Sequence, residues 1–270
     1  MRRILATLAA AALLAVAVAV PATAITDGAL DGNGHPYVGL MVAKDAAGNP
    51  LWRCSGTMIS PKVFLTAGHC TEAPAAKATI WFEAGPVGTS DGYPLGGTTS
   101  HNGTTYLHPL FDPNQFFYRD LGIVVLDQAV TLSQYGALPA KDQLDTLKTK
   151  RGTQDVTFTA VGYGLQMAFP DAAAWKESKV KVRMVAHPKL NQINVPGFTG
   201  DFSLLLSNNA NTGGTCFGDS GGPNFLGDSN IVAGVTSFGM NSTCAGTGGV
   251  FRVDRSWSLN WINDMLVANP

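Results

Sequence analysis

The chain has 270 residues, a formal net charge of −1, 14% charged and 45% hydrophobic residues, 31 glycines and four cysteines. So small a net charge beside so large an apolar share excludes an intrinsically disordered chain, and the missing basic excess excludes a non-specific nucleic-acid binder. A chain of this length buries a sizeable core without cross-links, so the four cysteines point to local roles.

Arg2 and Arg3 precede an apolar run from Ile4 to Val20 that ends in Pro21-Ala22-Thr23-Ala24. A positive end, a short apolar stretch and an Ala-x-Ala signature make an export signal, with cleavage expected after Ala24. The run is too short and too diluted by alanine for a permanent span. The mature protein is therefore expected to be secreted, with no stable membrane association once the signal is gone, in a setting where cysteines pair.

Short β-rich runs separated by Gly, Pro, Asn and Asp then follow at Tyr37 to Ala43, Trp52 to Ile59, Val63 to Thr66, Ala78 to Glu83, Thr104 to His108 and Leu121 to Leu126. After a Gln/Lys/Asp-rich stretch near Thr131 to Arg151 a second set covers Val156 to Val161, Ser178 to Val185, Phe202 to Leu206, Pro223 to Leu226, Ile231 to Ser237 and Gly249 to Val253. Many short strands with turns between them predict an all-β, antiparallel architecture. In the Ser178 run, Lys179, Lys181 and Arg183 alternate with Val180, Val182 and Met184, which predicts a half-buried strand with a solvated basic face. A helix is predicted only at the end, over about 256–267, where Trp257, Trp261, Ile262, Met265 and Leu266 share one face.

Gly218-Asp219-Ser220-Gly221-Gly222-Pro223 sets one serine among glycines, which let a substrate and backbone N–H groups approach a nucleophile closely. The same run matches the G-x-S-x-G elbow of α/β-hydrolases, but there the catalytic histidine follows the serine. All five histidines here, His35, His69, His101, His108 and His187, precede Ser220, so the elbow reading fails. His69 ends an apolar strand beside Cys70, and Asp120 opens the apolar run Leu121-Gly122-Ile123-Val124-Val125-Leu126, where a carboxylate can be buried to orient an imidazole. The order His69, Asp120, Ser220 follows. No H-E-x-x-H and no clustered His/Cys spacing is present, so neither a metal nor a cofactor is expected.

With Thr66-Ala67-Gly68-His69-Cys70, Asp120 before its apolar run, Cys216 to Pro223 and Ser237-Phe238-Gly239 in hand, the sequence resembles the chymotrypsin-like serine peptidases, particularly their secreted bacterial branch, over residues 25 to 266. Gly68 departs from the family's usual alanine. The resemblance implies two six-stranded antiparallel β-barrels, about 25–135 and 136–255, with the active site between them and a terminal helix. It implies a monomeric serine endopeptidase acting on protein or peptide substrates, open to a protein inhibitor, with no nucleic-acid partner. A catalytically silent binding protein on the same scaffold and an esterase are the alternatives.

The resemblance also implies an oxyanion hole from the N–H groups of Gly218 and Ser220, and disulfides joining Cys54 to Cys70 and Cys216 to Cys244. It implies that Ile25, freed by the export cleavage without a separate propeptide, inserts its ammonium beside Asp219, although Thr26 departs from the usual valine. Ser237, Phe238 and Gly239 would pair with the substrate backbone. Gly214, flanked by Thr215, stands where trypsin-like members carry a carboxylate, so specificity for Lys or Arg is not expected. Gly239 and Gly249 as walls leave room for a large apolar side chain.

Overall fold

The computed structural model describes residues 25–115, 118–147, 155–166 and 180–270; the segment expected to be an export signal, 1–24, lies outside them. Six strands, β2 (Val38–Lys44), β3 (Pro50–Met58), β4 (Val63–Thr66), β5 (Lys77–Trp81), β6 (His101–Leu107) and β7 (Gly122–Leu126), close into a barrel in the order β2-β3-β4-β7-β6-β5, with β1 (Ala29–Leu30) preceding them. The second half contains β8 (Phe158–Gly162), β9 (Met184–Ala186), β10 (Leu190–Val195), β11 (Gly200–Asn208), β12 (Pro223–Leu226), β13 (Val232–Gly239) and β14 (Gly246–Arg252). These form an antiparallel sheet in the order β1-β9-β8-β12-β13-β14-β11-β10, rolled into a half-barrel. The expected six strands become eight because β1 crosses over from the N-terminal segment and β10 was not legible as a strand. The architecture is the two-barrel, trypsin-like one.

Every residue of β2 is buried, and its two faces serve different neighbours. Met41 and Ala43 join the barrel core with Phe64, Leu65, Ile80, Ile123 and Val124, while Leu40 and Val42 pack with Trp81, Val87 and Tyr163 of the other half. Strands buried on both faces read as continuous apolar runs, which is how β2 and β7 look in sequence. The helix α1 (Ser256–Ala268) lies across both halves. Trp261 meets His108 of the first half, at 4.9 Å between ring centres, and Trp257 meets Phe202 and Phe251 of the second, at 5.0 and 5.3 Å. Among the described residues no helix is long and apolar enough to cross a membrane.

The basic strip needs correction. Lys179 lies outside the described residues, Lys181 sets its ammonium 4.3 Å from the centre of the Tyr93 ring, and Arg183 is wholly buried rather than solvated. Arg183 Nε donates to Asp31 Oδ2 at 2.9 Å, and Nη1 and Nη2 donate to the carbonyls of Val38, Phe82 and Gly32 at 3.0–3.2 Å. The same Asp31 accepts the His35 N–H at 3.0 Å and meets His35 Nδ1 at 2.5 Å. Burial pushes the Asp31 pKa up, but these hydrogen bonds and charges outweigh it and hold the carboxyl below its ordinary range. A buried pair with every donor used is tolerated in an interior, whereas losing one partner costs about 3–5 kcal/mol. Its place is structural: it ties the segment before β2 to both halves.

Candidate active site

Strand pairing brings the three chemical residues together. β4 and β7 are antiparallel, with Thr66 opposite Gly122, so the end of one and the start of the other are neighbours. His69 lies three residues beyond Thr66, in a single 3-10 turn (Gly68–Cys70), and Asp120 lies two residues before Gly122. In the other half Pro223 of β12 pairs with Val235 of β13, which places Ser220, just before β12, beside Ser237, near the end of β13. An alanine at 68 would carry its Cβ to 3.0 Å from both the Leu121 nitrogen and the Phe111 ring, which accounts for the glycine.

Asp120 is fully buried and holds three donors. Its Oδ1 accepts the backbone N–H of His69 at 2.9 Å, His69 Nδ1 lies 3.0 Å from Oδ2, and the Ser237 hydroxyl donates to Oδ2 at 2.5 Å. The sequence reading gave Ser237 only a backbone role toward substrate; its hydroxyl also anchors this carboxylate. Burial penalises the charged imidazolium, but the Asp120 charge and hydrogen bond, with a smaller contribution from Glu72, outweigh it and raise the His69 pKa. Two disulfides staple the loops: Cys54 to Cys70 beside the histidine, and Cys216 to Cys244 beside the serine. Among the described residues, the one His, Cys, Asp and Glu grouping tight enough for a metal is Cys54, His69 and Cys70, and both of its sulfurs are in that disulfide.

Asp219 is the second buried carboxylate. It accepts the N–H of Gly164 at 2.7 Å and of Cys216 at 2.9 Å. A Cβ at Gly162 or Gly164 would fall 2.2 and 2.4 Å from its carboxyl atoms, so only glycines can form this cradle. Full burial pushes Asp219 up to about 7, against the pull of the two N–H donors and the Arg53 charge. Ile25 is wholly buried, packed with Ala160, Val182, Met184 and Ala186, and has φ +58°. Thr26 explains its own departure from valine: its hydroxyl donates to Asn208 Oδ1 at 2.6 Å, while Gly214 N–H donates to the Thr26 carbonyl at 3.0 Å.

His69 and Ser220 line a cavity of about 570 Å³ with Thr215, Phe217, Thr236, Ser237, Phe238, Gly239 and the Cys216–Cys244 bridge. No carboxylate is among its lining residues. Two of the expected walls are placed differently. A Cβ at Gly214 would land 2.3 Å from Asn208 Cγ, so the buried Asn208 amide holds the space that a side chain at 214 would need. A Cβ at Gly249 would strike the Phe238 ring at 2.3 Å, whereas one at Gly248 would point toward Thr215 Oγ1 at 3.2 Å. Neither Gly248 nor Gly249 is among the residues that line the cavity, and Gly249 is the bed on which Phe238 lies.

A family model described as Trypsin matches residues 31–262. Among curated proteins the chain is 29% identical to a brachyurin from Leptuca pugilator over 226 residues, covering 82% of this chain and 90% of that one. It is 25% identical to a chymotrypsin from Phaedon cochleariae over 230 residues, covering 84% and 76%, and 27% identical to glucanase inhibitor protein 1 from Phytophthora sojae over 223 residues, covering 79% and 78%. Among solved structures an HL collagenase superposes with a TM-score of 0.68 at 21% identity, covering 90% of this chain and 98% of its own. Human heparin binding protein superposes with a TM-score of 0.62 at 17% identity, covering 88% and 94%.

Proposed function

The chain belongs to the trypsin family, and on that premise we propose that it is a secreted serine endopeptidase that cleaves after large apolar residues. The observation that carries the reading is that His69, oriented by a buried Asp120, and Ser220 line one cavity. His69 takes the Ser220 proton as Oγ attacks the scissile carbonyl carbon, then passes it to the leaving amine as the acyl-enzyme forms. A water repeats the sequence and frees Ser220. The N–H groups of Gly218 and Ser220 receive the oxyanion, each worth on the order of 3 kcal/mol. Cys54–Cys70 and Cys216–Cys244 hold the two reacting loops in register.

The released end is Ile25, and its ammonium is the partner of Asp219. A β-branched residue at φ +58° is strained inside a chain. Cutting before Ile25 removes the preceding carbonyl that makes this torsion costly, so the buried conformation suits a chain that begins there. The motifs favour a secreted bacterial branch, a narrower reading that relatives from Leptuca, Phaedon and Phytophthora do not carry.

A second reading has specific support, since one relative is a glucanase inhibitor and one fold neighbour a heparin binding protein. Under it the site is retained but unused. The intact Asp120–His69 pair favours the enzyme. Labelling of Ser220 by a peptide phosphonate, together with cleavage of a denatured protein by the wild type and not by Ser220→Ala, is the expected result. Absence of both would leave the binding protein. An esterase would label but spare peptide bonds.

Pocket chemistry gives a sharper expectation. Gly214→Asp alone does not create cleavage after Arg, because the Asn208 amide occupies the path of the new side chain. Combined with Asn208→Gly, it raises kcat/KM on an Arg p-nitroanilide at least tenfold above either single variant. Arg cleavage by the single Gly214→Asp variant would show that the space is open.

A further inference from the structure

Ser55 is wholly buried in β3, next to Cys54, and every polar group it has is used at the boundary between the two halves. Its N–H donates to the Ser220 carbonyl at 2.8 Å. Its carbonyl accepts the Thr66 hydroxyl at 2.8 Å. Its own hydroxyl accepts the Tyr163 N–H at 3.0 Å and donates to the Gly218 carbonyl at 2.9 Å. One residue of the first barrel thus grips Gly218 and Ser220, the two residues whose N–H groups must converge on an oxyanion.

Gly218 needs that grip. It stands at φ +95°, and a Cβ there would lie 2.9 Å from Arg53 Nε, so the position is held for glycine. Glycine adopts many other conformations at similar cost, and the residue that must be permissive is also the one whose N–H must point one way. Beyond Ser55, Tyr163 sits between the two glycines that cradle Asp219. The Ser55 hydroxyl therefore couples the cradle to the oxyanion loop through two hydrogen bonds at one oxygen.

We propose that Ser55 is a positioning residue for the oxyanion hole, its hydroxyl fixing the peptide that follows Gly218, and with it the Gly218 backbone torsions, so that the Gly218 N–H stays aimed beside that of Ser220. The proposal rests on the endopeptidase reading. Removing the hydroxyl leaves the buried Tyr163 N–H and the part-buried Gly218 C=O without this partner, and the neighbouring glycine can turn to satisfy them elsewhere. The ground-state pocket is untouched, so the loss falls on the transition state.

The test is Ser55→Ala assayed on a peptide p-nitroanilide, with active molecules counted by the final stoichiometry of phosphonate labelling. The expected result is a 10- to 100-fold fall in kcat with KM within twofold, and a parallel fall in affinity for a peptide trifluoromethyl ketone, whose oxyanion would occupy the hole. The acid limb of the pH profile stays where it was, because Asp120 still faces His69. Thr57→Val, which removes another buried hydroxyl two residues along β3, is expected to cost stability and leave kcat alone. Unchanged kcat in Ser55→Ala overturns the proposal, as does a rise in KM at constant kcat. If neither Ser55→Ala nor Ser55→Gly yields any labelled protein, Ser55 holds the fold and not the hole, which also overturns it. A wild type without Ser220-dependent hydrolysis defeats the endopeptidase reading instead, so the two failures are distinguishable.

Discussion

Asp120→Asn is expected to lower kcat by about 10⁴-fold while leaving the fold intact. The substituted amide keeps the shape of the carboxylate but can accept at only one atom, and Asp120 receives hydrogen bonds from the His69 N–H, the His69 ring and Ser237. With an amide NH₂ turned to the ring, Nδ1 must accept, and the proton moves to Nε2, where His69 can no longer take one from Ser220. The pH dependence follows in sign. His69 acts as a base only when neutral, so wild-type activity falls as pH drops through a pKa raised above 6.5 by the Asp120 charge. Without that charge burial prevails, and the acid limb moves to lower pH. Stability runs the other way. A raised histidine pKa contributes stability that is present below pH 6.5 and is lost as pH rises through the folded value. Steady-state kinetics from pH 5 to 9 on both proteins reads these shifts, and an unmoved limb would mean that Asp120 does not set the His69 charge.

A chain that retains Ala24 is expected to lose stability with rising pH where a chain beginning at Ile25 does not. In the extended form Asp219 has a folded pKa of about 7 against an ordinary 3.8. Its contribution is fully present below 3.8 and is lost as pH climbs through about 7, by on the order of 4 kcal/mol in total. With a free Ile25 ammonium beside it, the carboxylate ionises with a partner and the slope flattens. Urea midpoints of the two forms at pH 5 and pH 8 decide this, and parallel midpoints would remove the ammonium from the site. The extended form is also expected to show at least 100-fold lower activity at pH 8, since the unpaired charge sits on Asp219, the residue that precedes Ser220.

What was legible in sequence was what the chemistry confines to short runs. Ser220 among its glycines, His69 at a strand end and Asp120 at the mouth of an apolar strand announce themselves because each needs particular neighbours in the chain. The strands did so because a buried strand must be apolar, as in β2 and β7. The missed residues share a different property. Ser55 reaches Gly218 across 163 positions, Arg183 reaches Asp31 across 152, and Thr26 reaches Asn208 across 182. A serine, an arginine or a threonine has an ordinary solvated reading, and only the fold reveals that its partner is buried beside it. The strand β10, with Asn191, Gln192 and Asn194, carried little apolar signal of its own and is recruited by its pairing with β11.

The crossover of β1 into the second sheet sets the behaviour of the chain end. Ala29 pairs with Val185 and Leu30 with Met184, and Thr26 is itself bound to Gly214 and Asn208, so a terminus freed at Ile25 would be tethered one residue from a fixed point. One residue reaches less than about 4 Å at full extension. For such an end, the insertion proposed above would be independent of protein dilution, and the end would be too short to reach the pocket of another molecule.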